Sequence, residues 1–207
     1  MNHIEIGRLL RSGTRGCVVG CRVTDISAPS FGGLVLIPPA MDGGISIYGI
    51  IYDIHIDDDG LVRQLVTADS VSEEVILDNR INRNVPLEIS VLFAGYEHDR
   101  KISHMLPPRP PLTLDRIFLC SDEDLIRFTP VSAFGYFRHI LRAEEIPVAD
   151  VFAAHLRQVS RAHFSSGNPG WLDSASKEII TMLRDDYPLL MDVLGAITDT
   201  RLFENQS

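Results

Sequence analysis

Asp53, His55 and Asp57 stand at alternate positions in a strand-forming run. An unbroken strand would turn all three to one face, where two carboxylates and an imidazole could exchange protons. The same spacing also describes a hydrated outer face. Asp57-Asp58-Asp59-Gly60 gathers oxygen ligands of the kind calcium takes, but the rest of the calcium loop and its closing Glu are missing, which favours a solvated turn. Cys17 and Cys21 point to the same side of a strand, yet no second thiol pair or suitably placed histidine completes a zinc set, so they read as small buried hydrophobes. His155 and His163 are two helical turns apart, too far to share one ion, and His155 reads as a packed side chain.

Nucleophile and phosphate motifs are equally incomplete. None of Ser12, Ser27, Ser30, Ser165 and Ser166 sits in a Gly-x-Ser-x-Gly elbow. Arg11-Ser12-Gly13-Thr14-Arg15-Gly16 has the glycines of a phosphate loop without its terminal Gly-Lys-Ser/Thr. No position is therefore assigned a catalytic, cofactor-binding or metal-binding role, and no cofactor is expected. Tyr136 and Trp171 are candidates for partner anchors, although large aromatics more often fill a core.

The elements that would have to position such groups fall into two halves, 1–119 and 120–207, separated near Pro107-Pro108-Arg109-Pro110-Pro111, a stiff connector. The net charge of −9 is shared: the first half holds 11 basic and 15 acidic residues, the second 8 and 13. Direct nucleic-acid binding is disfavoured, since neither half has a basic cluster in sequence. All basic residues but Lys101 and Lys177 are arginines, which suit forked contacts to carboxylate or phosphate. An odd count of cysteines, no basic-then-apolar leader and no membrane-length apolar run point to a cytoplasmic chain.

The first half predicts strands at Ile4–Leu10, Cys17–Thr24, Leu34–Ile37, Ile45–Ile56, Leu61–Thr67, Leu87–His98, Lys101–Leu106 and Arg116–Cys120. Asp59-Gly60 predicts a hairpin between the fourth and fifth of these, and Tyr96–Lys101 another short link. Glycines crowd the first fifty residues, where a small closed barrel needs bends and close backbone approach. Ser70-Val71-Ser72-Glu73 has the form of a capping box that opens a short helix within an insert at 68–83. The fold class expected is α+β, an antiparallel barrel followed by a helical subdomain.

Ile6-Gly7-Arg8-Leu9-Leu10, Leu34-Val35-Leu36-Ile37 and Ile47-Tyr48-Gly49-Ile50-Ile51-Tyr52-Asp53-Ile54 resemble the opening of a HAS barrel, the small β-barrel shared by HerA-type helicase ATPases and ATP synthase catalytic subunits. Val85–Val91 and the proline-rich run resemble the later strand and exit of the same barrel, so the likeness covers about the first 120 residues. It implies subunit assembly and partner docking. The family's motor domain and its phosphate loop have no counterpart here, so its nucleotide chemistry does not carry over.

In the second half, Ser121 caps a helix whose first turn holds Asp122, Glu123 and Asp124, and Thr129-Pro130 ends it. A helix from Ser132 to about Ile146, another over Pro147–Phe164, one from Trp171 and a last one after Asp186 complete a small bundle, with Arg201–Ser207 as a tail. Two functions are expected from this reading. The first is a non-enzymatic scaffold or adaptor whose barrel oligomerises or docks onto a protein such as a HerA-type ATPase or an associated nuclease. The second is an enzyme binding a small molecule or nucleotide between barrel and helices, with Asp53, His55, Arg109 and Arg116 as its polar groups.

Overall fold

The computed structural model describes residues 3–21, 29–41, 44–56, 60–68, 70–81 and 87–202. Strands β1 (Glu5–Ser12), β2 (Gly16–Cys21), β3 (Leu34–Ile37), β4 (Ser46–His55), β5 (Leu87–His98), β6 (Lys101–Ser103) and β7 (Arg116–Leu119) form one antiparallel sheet. Its order is β2-β1-β7-β3-β4-β5-β6, and β2 also pairs with β5, which closes six strands into a barrel. Closure is possible because β5 is long enough to share one edge: Leu87–Leu92 pair with β2 and Tyr96–His98 with β6. A barrel so closed has no free edge around its girth. The chain is thus α+β, with a barrel first and helices after it.

Two bulges let β4 and β5 serve two cores. Ala94 is an extra residue opposite Tyr48 and Gly49, and Tyr52 an extra one opposite Ser90 and Val91. Each reverses the alternation of the residues beyond it. Ile47, Ile51, Leu87, Ile89, Val91 and Phe93 consequently line the barrel interior with Ile6, Leu9, Cys17, Val19 and Ile117. Tyr48, Ile50 and Ala94 face outward, into a second core with Phe128, Tyr136, Phe137, Phe152 and Leu156 of the helical half. The turn into β2 also depends on close packing: a side chain on Gly16 would collide with the Val91 carbonyl.

The segment predicted as a fifth strand, Leu61–Thr67, is instead helix α1 (Leu61–Val66). Its apolar residues at 61, 62, 65 and 66 fit a helical turn as well as a strand, and six residues cannot separate the two periods. The hairpin predicted at Asp59-Gly60 is therefore absent. Gly60 takes φ 81° at the helix start, Asp57–Asp59 lie outside the described residues, and β4 pairs with β5 beyond the insert. Helix α2 (Glu73–Ile81) follows, capped by Ser72 rather than Ser70: the Ser72 hydroxyl accepts the Val75 N–H at 3.4 Å. The β5–β6 link is a tight hairpin with Asp99 and Arg100 at φ 49° and 62°, the geometry a twisted two-residue turn requires. The seventh predicted run, Lys101–Leu106, stops at Ser103 and β2 at Cys21, with 22–28 outside the described residues.

Helix α3 (Asp122–Phe128) begins as its sequence predicts. The Ser121 side chain takes the Asp124 N–H, and the Asp124 carboxylate accepts from the Ser121 backbone at 2.9 Å. Arg127 then ties α3 to the barrel by donating to Glu97 at 2.7 Å and to the Tyr48 hydroxyl at 2.6 Å, while that hydroxyl donates to Glu97 at 2.9 Å. The predicted helix from Ser132 is broken. Ser132, Ala133 and Phe134 all have positive φ, in a short 3-10 turn (Val131–Phe134), and only Phe137–Leu141 forms helix α4. What holds that unusual backbone is ring packing: Phe134 stacks on Phe137 at 5.3 Å and meets the edge of Trp171 at 5.6 Å. Helices α5 (Val148–Ser165), α6 (Trp171–Met182) and α7 (Tyr187–Leu202) complete the fold, so Arg201 and Leu202 belong to a helix and 203–207 lie outside the described residues.

Candidate functional site

Barrel and helices meet at a chain of buried imidazoles and rings. The residue ahead of the proline run, His104, receives the Tyr136 N–H on Nδ1 at 3.2 Å and so donates from Nε2 to the Phe128 carbonyl at 3.0 Å. His155, on α5, donates from Nδ1 to the Gly32 carbonyl at 2.9 Å and accepts the Tyr136 hydroxyl on Nε2 at 3.0 Å. Both imidazoles use both nitrogens as neutral rings. Burial holds each pKa down to about 4, against the raising effect of the carbonyl each one bonds. Tyr136 is pushed well above its ordinary value by burial. A neutral, fully bonded set of this kind fixes geometry and has no free proton to trade.

His163 differs. The Thr129 hydroxyl donates to the Leu125 carbonyl at 2.7 Å, so His163 donates Nε2–H to Thr129 at 2.9 Å. Among the described residues its Nδ1 has no hydrogen-bond partner, nor does the indole N–H of Trp171, whose ring stacks on His163 at 4.8 Å.

Beside this hub lies a groove of about 800 Å³ between the barrel wall and α4. Arg11 and Ser12 at the end of β1, with Gly13 and Arg15 of the turn into β2, face Arg138, His139 and Arg142 of α4 and its end, and Glu144 and Glu145 close the rim. Tyr52, Val91, Leu92, Leu106 and Ile146 supply apolar wall. The turn is rigid: Gly13 N–H bonds the Gly16 carbonyl at 2.9 Å and Phe93 N–H bonds the Arg15 carbonyl at 2.8 Å. The Arg138 guanidinium donates to the His104 carbonyl, which also accepts His139 Nε2–H at 2.8 Å. His139 is held below its ordinary pKa first by burial and then by Arg138 and Arg142, so the positive charge of the groove is that of its arginines.

Of the polar groups expected at the seam, Asp53, His55, Arg109 and Arg116, none lines this groove. Asp53 and His55 are exposed on β4, on strand positions opposite Ser90 and Glu88, and Arg109 is exposed between its prolines. Arg116 donates to Glu5 at 2.8 Å across the barrel surface and lies over Phe118 at 5.0 Å. Cys17 and Cys21 are buried in the barrel, with Cys17 pushed up to about 12 by burial. Trp171, Tyr136 and His155 are core residues. Among the described residues no group of three or more His, Cys, Asp or Glu could hold a metal, and no helix is long and apolar enough to cross a membrane.

The groove's arginines were readable only in part. Arg138 and Arg142 carry the i, i+4 spacing of one helix face, and Arg11 and Arg15 flank a glycine turn. Nothing in the order of residues says that these two pairs meet. Compared with models of known protein families and with curated proteins, the chain matches none.

Proposed function

We propose that the chain is a non-enzymatic docking scaffold, a barrel-bearing protein that assembles with itself or with a partner such as a HerA-type DNA-processing ATPase. The observation that carries this is the insert between β4 and β5. Among the described residues, helices α1 and α2 pack extensively against neither the barrel nor the later helices, yet present Val66, Val75, Ile76 and Leu77 to solvent, Val66 at 78% and Leu77 at 57% exposure. Helices of six and nine residues have little stability on their own, and a partner that covers these partly exposed side chains would gain about 1 kcal/mol for each. The likeness of the barrel segments to the HAS barrel supports the choice of partner.

The test is light scattering of the purified chain, alone and mixed with a HerA-type ATPase of the same genome, beside the variant Ile76→Asp/Leu77→Asp. A defined assembly that the variant loses supports the scaffold. A monomer in both mixtures overturns it.

The arginine groove favours a second reading, a ligand-binding enzyme with its site between barrel and helices. Its lining is better furnished for holding than for reacting. The Ser12 hydroxyl donates to the Pro111 carbonyl at 2.6 Å, and Cys17 stays a thiol.

A further inference from the structure

Four of the chain's seventeen arginines line one groove in a protein of net charge −9. Two of them are occupied: Arg11 pairs with Glu88 at 3.0 Å, and Arg138 is pinned to the His104 carbonyl. Arg15 and Arg142 make no side-chain hydrogen bond or ion pair among the described residues. Both stand on fixed supports, Arg15 on the turn bonded to β5 and Arg142 one helical turn beyond the pinned Arg138. Two uncommitted guanidinium forks held at one rim suit a ligand with several acceptor oxygens, which each fork can grip through two bonds.

We propose that this groove binds a phosphate-bearing small molecule of nucleotide size, with Arg15 and Arg142 taking the phosphates and Tyr52, Leu106 and Ile146 the flat apolar part. Size supports this: about 800 Å³ is far more than a single phosphate fills and falls in the range of small-molecule sites. Charge supports it too. The four arginines against Glu144 and Glu145 leave the lining net positive by two, which matches a di- or triphosphate. Those same carboxylates make the rim repulsive to a long strand that would carry phosphate after phosphate across it, so a nucleic acid is disfavoured. The proposal concerns binding and shares its groove with the second reading above, but it requires no turnover.

Calorimetric titration of the full chain with inorganic pyrophosphate, with ADP and with a ten-nucleotide oligothymidylate tests it, using the native chain and Arg15→Ala/Arg142→Ala. ADP should bind more tightly than pyrophosphate, because only ADP has a ring for the apolar wall. The double variant should weaken both by about tenfold or more per arginine while its unliganded thermal midpoint stays put, since both side chains are exposed. Failure of both anions to bind, equal binding by the variant, or tighter binding of the oligonucleotide than of ADP each overturns the site. A phosphate-release assay with ATP separates the readings. Binding without release supports the site and overturns ATP turnover; absence of binding overturns the site alone, because an enzyme acting on an uncharged molecule would survive it.

Discussion

Mild acid should loosen the seam well before the surface carboxylates respond. His104 and His155 are neutral in the fold with pKa values of about 4, against an ordinary 6.5. Between those values the unfolded chain binds protons that the native one refuses, so stability rises with pH. Their contribution is fully present above about pH 6.5 and is lost as pH falls toward 4. From pH 7 to pH 5 the linkage relation gives about 2 kcal/mol for each ring and about 4 kcal/mol for the pair. His139 and His163, also lowered by burial, act in the same direction. Glu5 and Glu97, lowered by bonds from Arg116 and Arg127, release their stabilisation only below the ordinary carboxylate range, beneath this window. Urea unfolding followed by Trp171 fluorescence at pH 7, 6 and 5 measures the loss, and 4 kcal/mol should move the midpoint by roughly 2 M. His155→Gln should be less stable at pH 7 but lose about 2 kcal/mol less on acidification. Native stability at pH 5 within about 1 kcal/mol of that at pH 7, or an unchanged slope in His155→Gln, would refute the assignment of neutral, bonded rings.

Three further outcomes are expected. Tyr136→Phe leaves His155 Nε2 buried without its donor and should cost about 2 kcal/mol in the same urea assay, with little change in the far-UV spectrum. Gly32→Ala forces a side chain onto a backbone at φ 79° and sets its Cβ 2.6 Å from the His155 nitrogen, so a loss of about 3 kcal/mol or more should appear as a lowered thermal midpoint. Ser121→Ala removes the α3 cap and should cost about 1 kcal/mol. Asp124→Ala should cost more, because that carboxylate, raised by burial but held below its usual range by Ser121 and His3, also anchors His3 at 2.8 Å.

Local chemistry that a few adjacent residues settle was visible in the sequence. Ser121 to Asp124 names its own capping box, Leu34–Ile37 and Leu87–His98 are strands at their predicted bounds, and the amphipathic run at 147–164 is α5 within a residue. What failed is what depends on distant neighbours. Leu61–Thr67 has no place beside β5, since β2 and β6 together occupy the edge of β5 that β4 leaves open. Ser132–Phe134 leaves the helical region of backbone space for the sake of rings on other elements. The seam was anticipated as a place for a site, but its residues were not: Asp53, His55, Arg109 and Arg116 are candidates for their polar chemistry with no spacing rule to select them, whereas the groove collects arginines more than a hundred positions apart.

The extra residues at Tyr52 and Ala94 mark the two places where β4 and β5 can each lose a residue without turning the rest of the strand over. Losing Ala94 would leave Phe93 opposite Gly49, Gly95 opposite Tyr48 and Tyr96 opposite Ile47, so Tyr96 would still face the interior and the bulge alone would disappear. Glu97 would likewise stay beside Arg127 and Tyr48, so the barrel lining and the helix attachment would survive the loss together. Related chains should therefore be able to lack a residue at 94 while keeping the runs 87–93 and 95–98 that set both faces of β5.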